Sequence, residues 1–259
     1  MCRVLGCVAH TPVSLRYELL EAENALTHQA RAAGSGFGVA AYLNAGGSQP
    51  KCRHFTDAAD GLPEAAELRG RIFNVHLRRA SIGASAAENT HPFCLGNYSF
   101  AHSGTILDVA RLREPGVAPP AGATDSEQWF RYLMRDFDPD RVIDCLRRAV
   151  VAVIDHSQFT ALNFLFSDGE RLYAYRLGPF ELHWRSERGR LLVATEGLDQ
   201  GWHSVQQDVV LVLDPDDPVE PHAERLVGDA AVGRAHIQPL AATPAQNRAA
   251  APLAASAGE

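Results

Sequence analysis

Cys2-Arg3-Val4-Leu5-Gly6-Cys7-Val8-Ala9 opens the chain with a short apolar run, and the reading of this stretch decides the rest. Its length and composition predict a strand over Arg3–Ala9, ended by a His10-Thr11-Pro12 break. Such a strand carries Cys2 at its very tip. Removal of Met1 then leaves one residue holding both a thiol and a free α-amine. Their ordinary pKa values, about 8.5 and about 7.7–8.0, let the pair exchange a proton near neutral pH. A terminal amine serving as base for its own side chain is one way of activating a nucleophile. While Met1 remains, that nitrogen is an amide and cannot serve. Taken alone, a small thiol at the start of an apolar strand more often marks packing than catalysis.

Working outward, Leu19, Leu20, Ala22, Leu26 and Ala30 recur at helical spacing and predict one helix over 17–31. A glycine cluster at Gly34-Ser35-Gly36-Phe37-Gly38 leads into a strand over Val39–Leu43. Strands are also expected at Arg71–Ser81 and Tyr98–Ile106, the latter interrupted by Ser103-Gly104. Thr124-Asp125-Ser126-Glu127 fits a helix-capping box ahead of Trp129, Phe130 and Leu133. A second helix is predicted over Pro139–Val150. Strands then follow at Thr160–Phe166, at Arg171–Arg176 after an Asp168-Gly169 turn, and at Glu181–Arg185, Leu191–Thr195 and Asp208–Leu213. From about Leu240 the chain is Ala/Pro-rich and reads as a loose tail. Strands, two helices and more strands predict an α+β domain of sheets packed on each other with helices outside.

The 259 residues carry 24 Lys and Arg against 31 Asp and Glu, a net charge of −7, and are 46% hydrophobic. That balance argues against a nucleic-acid partner, which calls for a basic stripe. No apolar stretch approaches the ~20 residues of a membrane span, and no secretory signal is expected. Cys2, Cys7, Cys52, Cys94 and Cys145 are odd in number and lack Cys-x-x-Cys spacing. They suggest neither a disulfide framework nor a zinc site, and the expectation is a cytoplasmic protein with free thiols. Cys7 reads as core. His76, His91 and His102 match no compact ligand spacing, so no metal is expected.

Cys2-Arg3-Val4-Leu5-Gly6, Gly36-Phe37-Gly38, His76-Leu77-Arg78-Arg79-Ala80-Ser81, Glu88-Asn89-Thr90-His91-Pro92-Phe93 with Phe100-Ala101-His102-Ser103-Gly104, and Thr124-Asp125-Ser126-Glu127 occur in one order. That order resembles the class II glutamine amidotransferases, N-terminal-nucleophile hydrolases, and among them stand-alone bacterial members including the γ-glutamyl amidase of the ergothioneine pathway. The resemblance runs from Cys2 to about Leu213. It implies a four-layer αββα sandwich spanning residues 2–239, with 240–259 as a flexible tail. It further implies that Cys2 attacks the δ-carbonyl of a γ-glutamyl amide and forms a thioester. Arg78 and Ser81 would hold the substrate α-carboxylate, which a planar guanidinium matches with two parallel hydrogen bonds. Asp125 would receive the α-ammonium, and the Gly104 N–H the oxyanion. No metal or organic cofactor is implied, and the partners are a small γ-glutamyl amide and a separate ammonia-accepting synthase.

The chain departs from the family at Ser103, where relatives carry the asparagine that supplies a second oxyanion donor. Outright loss of such a donor costs ~2.7–4 kcal/mol. Serine still carries one O–H donor, so Ser103 either serves as the second catalytic oxyanion donor, through a shifted backbone or a water, or marks an alternative function, a weakened or silent γ-glutamyl-binding module. Each residue also has a plainer reading. Arg78 beside Arg79 can be a solvated strand end, and Asp125 in a first helical turn complements the helix dipole. Asn89-Thr90-His91-Pro92-Phe93 reads as a structural turn in which His91 satisfies buried carbonyls.

Overall fold

A computed structural model describes residues 2–33, 36–78, 86–113 and 115–239. The strand predicted at the N-terminus, β1 (Arg3–Val13), lies inside a seven-stranded sheet. On one side it pairs antiparallel with β4 (Gly70–Leu77), which pairs in turn with β2 (Phe37–Tyr42) and the edge strand β3 (Lys51–Phe55). On the other side it meets β11 (Arg190–Ala194), followed outward by β10 (His183–Glu187) and β12 (His203–Ser204). β1 outlasts its predicted end at Ala9, because the register shifts between Val8 and Val13 and pairing resumes at Gly70. Pro12, which has no N–H to give, sits within that irregular stretch.

The second sheet has six antiparallel strands: β5 (Phe93–Leu95), β6 (Tyr98–Ser103), β8 (Asn163–Ser167), β9 (Leu172–Arg176), β13 (Val209–Leu213) and β14 (His222–Arg225). β7 (Gln158–Phe159) and β15 (His236–Ile237) form a small parallel pair. Among the described residues four longer helices complete the layers, and a fifth, α5 (Asp229–Val232), is a single turn near the end. α1 (Leu26–Ala33) and α2 (Ala58–Ala66) cover the first sheet; α3 (Asp125–Arg135) and α4 (Val142–His156) cover the second.

Strand alternation builds three apolar layers from this arrangement. Val4, Ala40, Ile72 and Leu165 face each other between the sheets. Their chain neighbours Leu5, Val39 and Phe73 turn outward against Leu26 and Leu62. On the far side Phe100, Phe164 and Phe166 pack under Trp129, Leu146 and Val150. The result is the four-layer αββα sandwich. Each fully buried Leu or Phe contributes about 1.5–3 kcal/mol relative to exposure.

Three expectations are corrected. The predicted helix over 17–31 is two pieces, a π-helical turn at Tyr17–Glu21 and then α1. Between them Asn24 leaves the helical ladder and bonds Leu198 and Gly197 instead. The strand predicted over Arg71–Ser81 ends at Leu77. The thiols are not all free: Cys52 and Cys94 form a disulfide. Each sits on an edge strand, β3 in one sheet and β5 in the other, and both side chains pack into the layer between the sheets. Cys7 is buried core, as expected. The tail from 240 lies outside the described residues.

Candidate active site

The site is built where four strand and helix ends meet. β1 and β4 pair at Arg3 and Leu77, and β2 and β4 at Phe37 and Leu77. One step further toward this end lie Cys2, Arg78 and Gly36 on neighbouring strands. The Arg78 N–H donates to the Gly36 carbonyl at 2.7 Å. Cys2 is partly exposed, whereas Arg78 is only 3% exposed. Burial lowers the pKa of the Arg78 guanidinium, and the neighbouring Cys2 and Asp125 charges oppose that shift.

Asp125 is the first residue of α3. The Thr124 hydroxyl caps this helix by accepting the Glu127 N–H at 3.2 Å. The reciprocal half of the capping box is redirected, since the Glu127 carboxylate accepts the N–H groups of Ala121 and Gly122, both at 2.8 Å. Asn89 adds an acceptor for the Ala123 N–H at 2.8 Å. The loop leading to Asp125 is thereby held at three successive residues. The Asp125 carboxylate accepts the Ile106 N–H at 2.7 Å. Burial pushes it up to about 6, against the pull of the Ile106 and Ser126 N–H groups and the Arg78 charge.

Ser103 ends β6, and its hydroxyl donates to the Cys2 main-chain carbonyl at 3.3 Å. A Cβ on Gly104 would stand 2.0 Å from the Ala161 carbonyl oxygen and 2.7 Å from His102 Nε2, so only glycine fits there. His102 ties this corner to α3. Its Nδ1 lies 2.9 Å from the Ser126 hydroxyl and its Nε2 3.0 Å from the Ala161 carbonyl. A carbonyl can only accept, so Nε2 carries the proton and Nδ1 accepts from Ser126. Burial lowers the His102 imidazole to about 4, which keeps it neutral.

The His91 Nδ1 accepts the His102 N–H at 3.4 Å. The ring packs at 4.2 Å from His76 and 4.6 Å from Phe93. Gly38 seats this turn, because a Cβ there would lie 2.1 Å from the His91 carbonyl oxygen. Among the described residues, no group of His, Cys, Asp and Glu is arranged to hold a metal ion.

The predicted residues Cys2, Arg78, Ser103, Gly104 and Asp125 therefore gather at one end of the sandwich. Ser81 lies outside the described residues. Two supports escaped the sequence reading. Ser126, inside the capping motif, bonds His102, and Thr195 takes the Val4 N–H on its hydroxyl at 3.3 Å. Neither carries a spacing signal.

The family model for class-II glutamine amidotransferases matches residues 1–188. An uncharacterized protein of Methanocaldococcus jannaschii is 30% identical over 76% of this chain and 58% of its own length. The chain thus spans less than two thirds of that relative. The Escherichia coli protein YafJ, named provisionally as a glutamine amidotransferase, is 28% identical over 82% of this chain and 89% of its own. Among solved structures, a glutamine aminotransferase class-II domain protein from Silicibacter pomeroyi superposes with TM-score 0.62 at 20% identity, covering 88% of this chain and all of that one. The glutamine phosphoribosylpyrophosphate amidotransferase of Bacillus subtilis does so with TM-score 0.68 at 15% identity, covering 88% of this chain and 50% of that one. The fold is that of the N-terminal-nucleophile amidotransferases, and the chain belongs to the class-II glutamine amidotransferases.

Proposed function

We propose that the protein hydrolyses a γ-glutamyl amide through a thioester on Cys2, once Met1 has been removed. The freed α-amine takes the thiol proton, and the sulfur attacks the δ-carbonyl carbon. The carbonyl electron pair moves onto oxygen, where the Gly104 N–H stabilises it. Collapse of this intermediate breaks the C–N bond, and the leaving amine departs with the proton held by the Cys2 ammonium. Water then attacks the thioester carbon, releasing glutamate and restoring the thiol.

One observation carries this reading. A buried guanidinium and a buried carboxylate, Arg78 and Asp125, act electrostatically on each other at the end of the sheet that presents Cys2. Opposite charges so placed match the α-carboxylate and α-ammonium of a glutamyl unit. The leaving group is ammonia or a larger amine, and in the first case a separate synthase receives it. A second reading, the weakened γ-glutamyl-binding module, is favoured by the Ser103 hydroxyl, which is directed at the Cys2 carbonyl.

Incubation with glutamine and with γ-glutamyl conjugates, scored by released glutamate, tests the proposal. Release that disappears in Cys2→Ala supports hydrolysis. Binding of substrate without release, in protein whose intact mass shows Met1 removed, leaves only the binding module.

A further inference from the structure

Resting on the nucleophile reading just given, we propose that Arg3 is a positioning residue that fixes the main chain of Cys2. β1 presents alternate residues to opposite faces. Val4 faces the layer between the sheets, and Leu5 and Cys7 face the helices. Arg3 shares the face of Leu5, so its side chain runs toward α1, away from the proposed substrate charges. There it meets three acceptors in different directions. Its Nε donates to Gln29 Oε1 at 3.1 Å, one terminal nitrogen forms an ion pair with Glu196, and the other reaches back to the Cys2 carbonyl at 3.5 Å.

The acceptors are themselves tied down. Gln29, on α1, donates through Nε2 to the Asn24 carbonyl at 2.8 Å. Asn24 donates from its side chain to the Gly197 carbonyl at 3.0 Å and from its N–H to the Leu198 carbonyl at 2.9 Å. Glu196 belongs to the same segment, directly after Thr195, which exchanges hydrogen bonds with Val4 at 3.3 and 3.1 Å. Arg3, Gln29, Asn24 and residues 195–198 thus close a ring of contacts around the first residues of β1.

The ring has a physical purpose at this position. A terminal residue frays unless it is tied down. After loss of Met1, Cys2 has no chain on its N-terminal side to hold it. A misplacement of about 1 Å at a reacting group costs on the order of a hundredfold in rate. Only a planar fork with five donors can serve a glutamine, a carboxylate and a carbonyl at once; a lysine ammonium is a point charge on a flexible stem. Together with Ser103, Arg3 gives the Cys2 carbonyl a donor from either side of the sheet.

The test compares Arg3→Met, Arg3→Lys and Glu196→Gln with the unaltered protein and with Cys2→Ala. Rates are normalised to the fraction lacking Met1 by intact mass, and Tm is recorded for each. Arg3→Met is expected to lower kcat for γ-glutamyl hydrolysis about 10- to 100-fold with KM within threefold, and to slow alkylation of Cys2 by iodoacetamide only modestly. Arg3→Lys recovers less than a third of the lost kcat, and Glu196→Gln lowers kcat several-fold with Tm nearly unchanged. Two results overturn the inference: kcat intact in folded Arg3→Met, or Glu196→Gln at full kcat while Arg3→Met loses kcat and Tm together. If Cys2→Ala turns over normally, the nucleophile reading itself fails; an inactive Cys2→Ala beside a fully active Arg3→Met sinks the positioning role alone.

Discussion

The Ser103 hydroxyl donates to the main-chain carbonyl of Cys2 at 3.3 Å. It joins the end of β6 in one sheet to the start of β1 in the other, across the layer between them. This contact separates two roles for Ser103 by magnitude. A donor that only orients the Cys2 carbonyl contributes about 0.5–1.5 kcal/mol. A second oxyanion donor contributes ~2.7–4 kcal/mol. Ser103→Ala is therefore expected to lower kcat about two- to tenfold, with KM little changed. Steady-state glutamate release measures it, and a loss above a hundredfold assigns Ser103 to the oxyanion instead.

Asp125 gives a pH dependence with a defined sign. Burial raises its carboxyl to about 6, so the anion that would attract a substrate ammonium is lost as pH falls through that value. KM should rise about tenfold per pH unit below about 6, while Asp125→Asn shows a high KM without this slope. The same shift bears on stability. A carboxyl whose folded pKa lies above its ordinary value near 3.8 disfavours folding when charged, by about 3 kcal/mol above pH 6. Asp125→Asn should accordingly leave Tm at pH 7 unchanged or higher. A clear fall in Tm contradicts this.

The buried histidines act in the opposite direction. Burial lowers His102 to about 4 and His76 to about 3, and drives His91 well below its ordinary value. Between pH 6.5 and 4 these imidazoles take up protons on unfolding, so stability falls as pH falls. Asp125 offsets one of the three protons between about 6 and 3.8. Near pH 5 the histidines outweigh Asp125, so stability still falls as pH falls. Urea midpoints measured from pH 7 to 4.5 check this, and a flat profile refutes the neutral, buried assignment.

Closing a covalent link between β3 and β5 constrains the unfolded chain. For the 42-residue separation of Cys52 and Cys94, loop entropy predicts stabilisation of about 4 kcal/mol. Cys52→Ser should lower the unfolding free energy by up to that amount. Alkylation under non-reducing conditions should spare Cys52 and Cys94 and label Cys2. Labelling at Cys94 without reductant removes the bridge.

Much of the sandwich is legible in the sequence because paired sheets with one face on each apolar layer impose alternation, as at Val4-Leu5 and Ile72-Phe73. What escaped has specific causes. α2 contains Gly61 and Pro63, both helix breakers by composition, and β3 is an edge strand with a largely open face. The disulfide joins residues on opposite sheets, and no local spacing announces such a pair. The meeting of Cys2, Arg78 and Asp125 is foreseen only through the ordered family motifs, since each comes from a different element. Asp125 is the instructive case: the capping motif correctly starts a helix there, and the same placement buries a carboxylate within the electrostatic influence of Arg78.

The position of β1 between β4 and β11 also dictates when the candidate site can form. One ladder neighbour of β1 is made of residues 70–77, yet the other is made of residues 190–194. A growing chain must keep the apolar β1 segment unpaired on one side until residues 190–194 have been made. Pairings so distant along the chain form slowly. The nascent polypeptide is thus exposed to misassembly over the long interval between β1 and β11, and the end of the sheet that carries Cys2 is completed late.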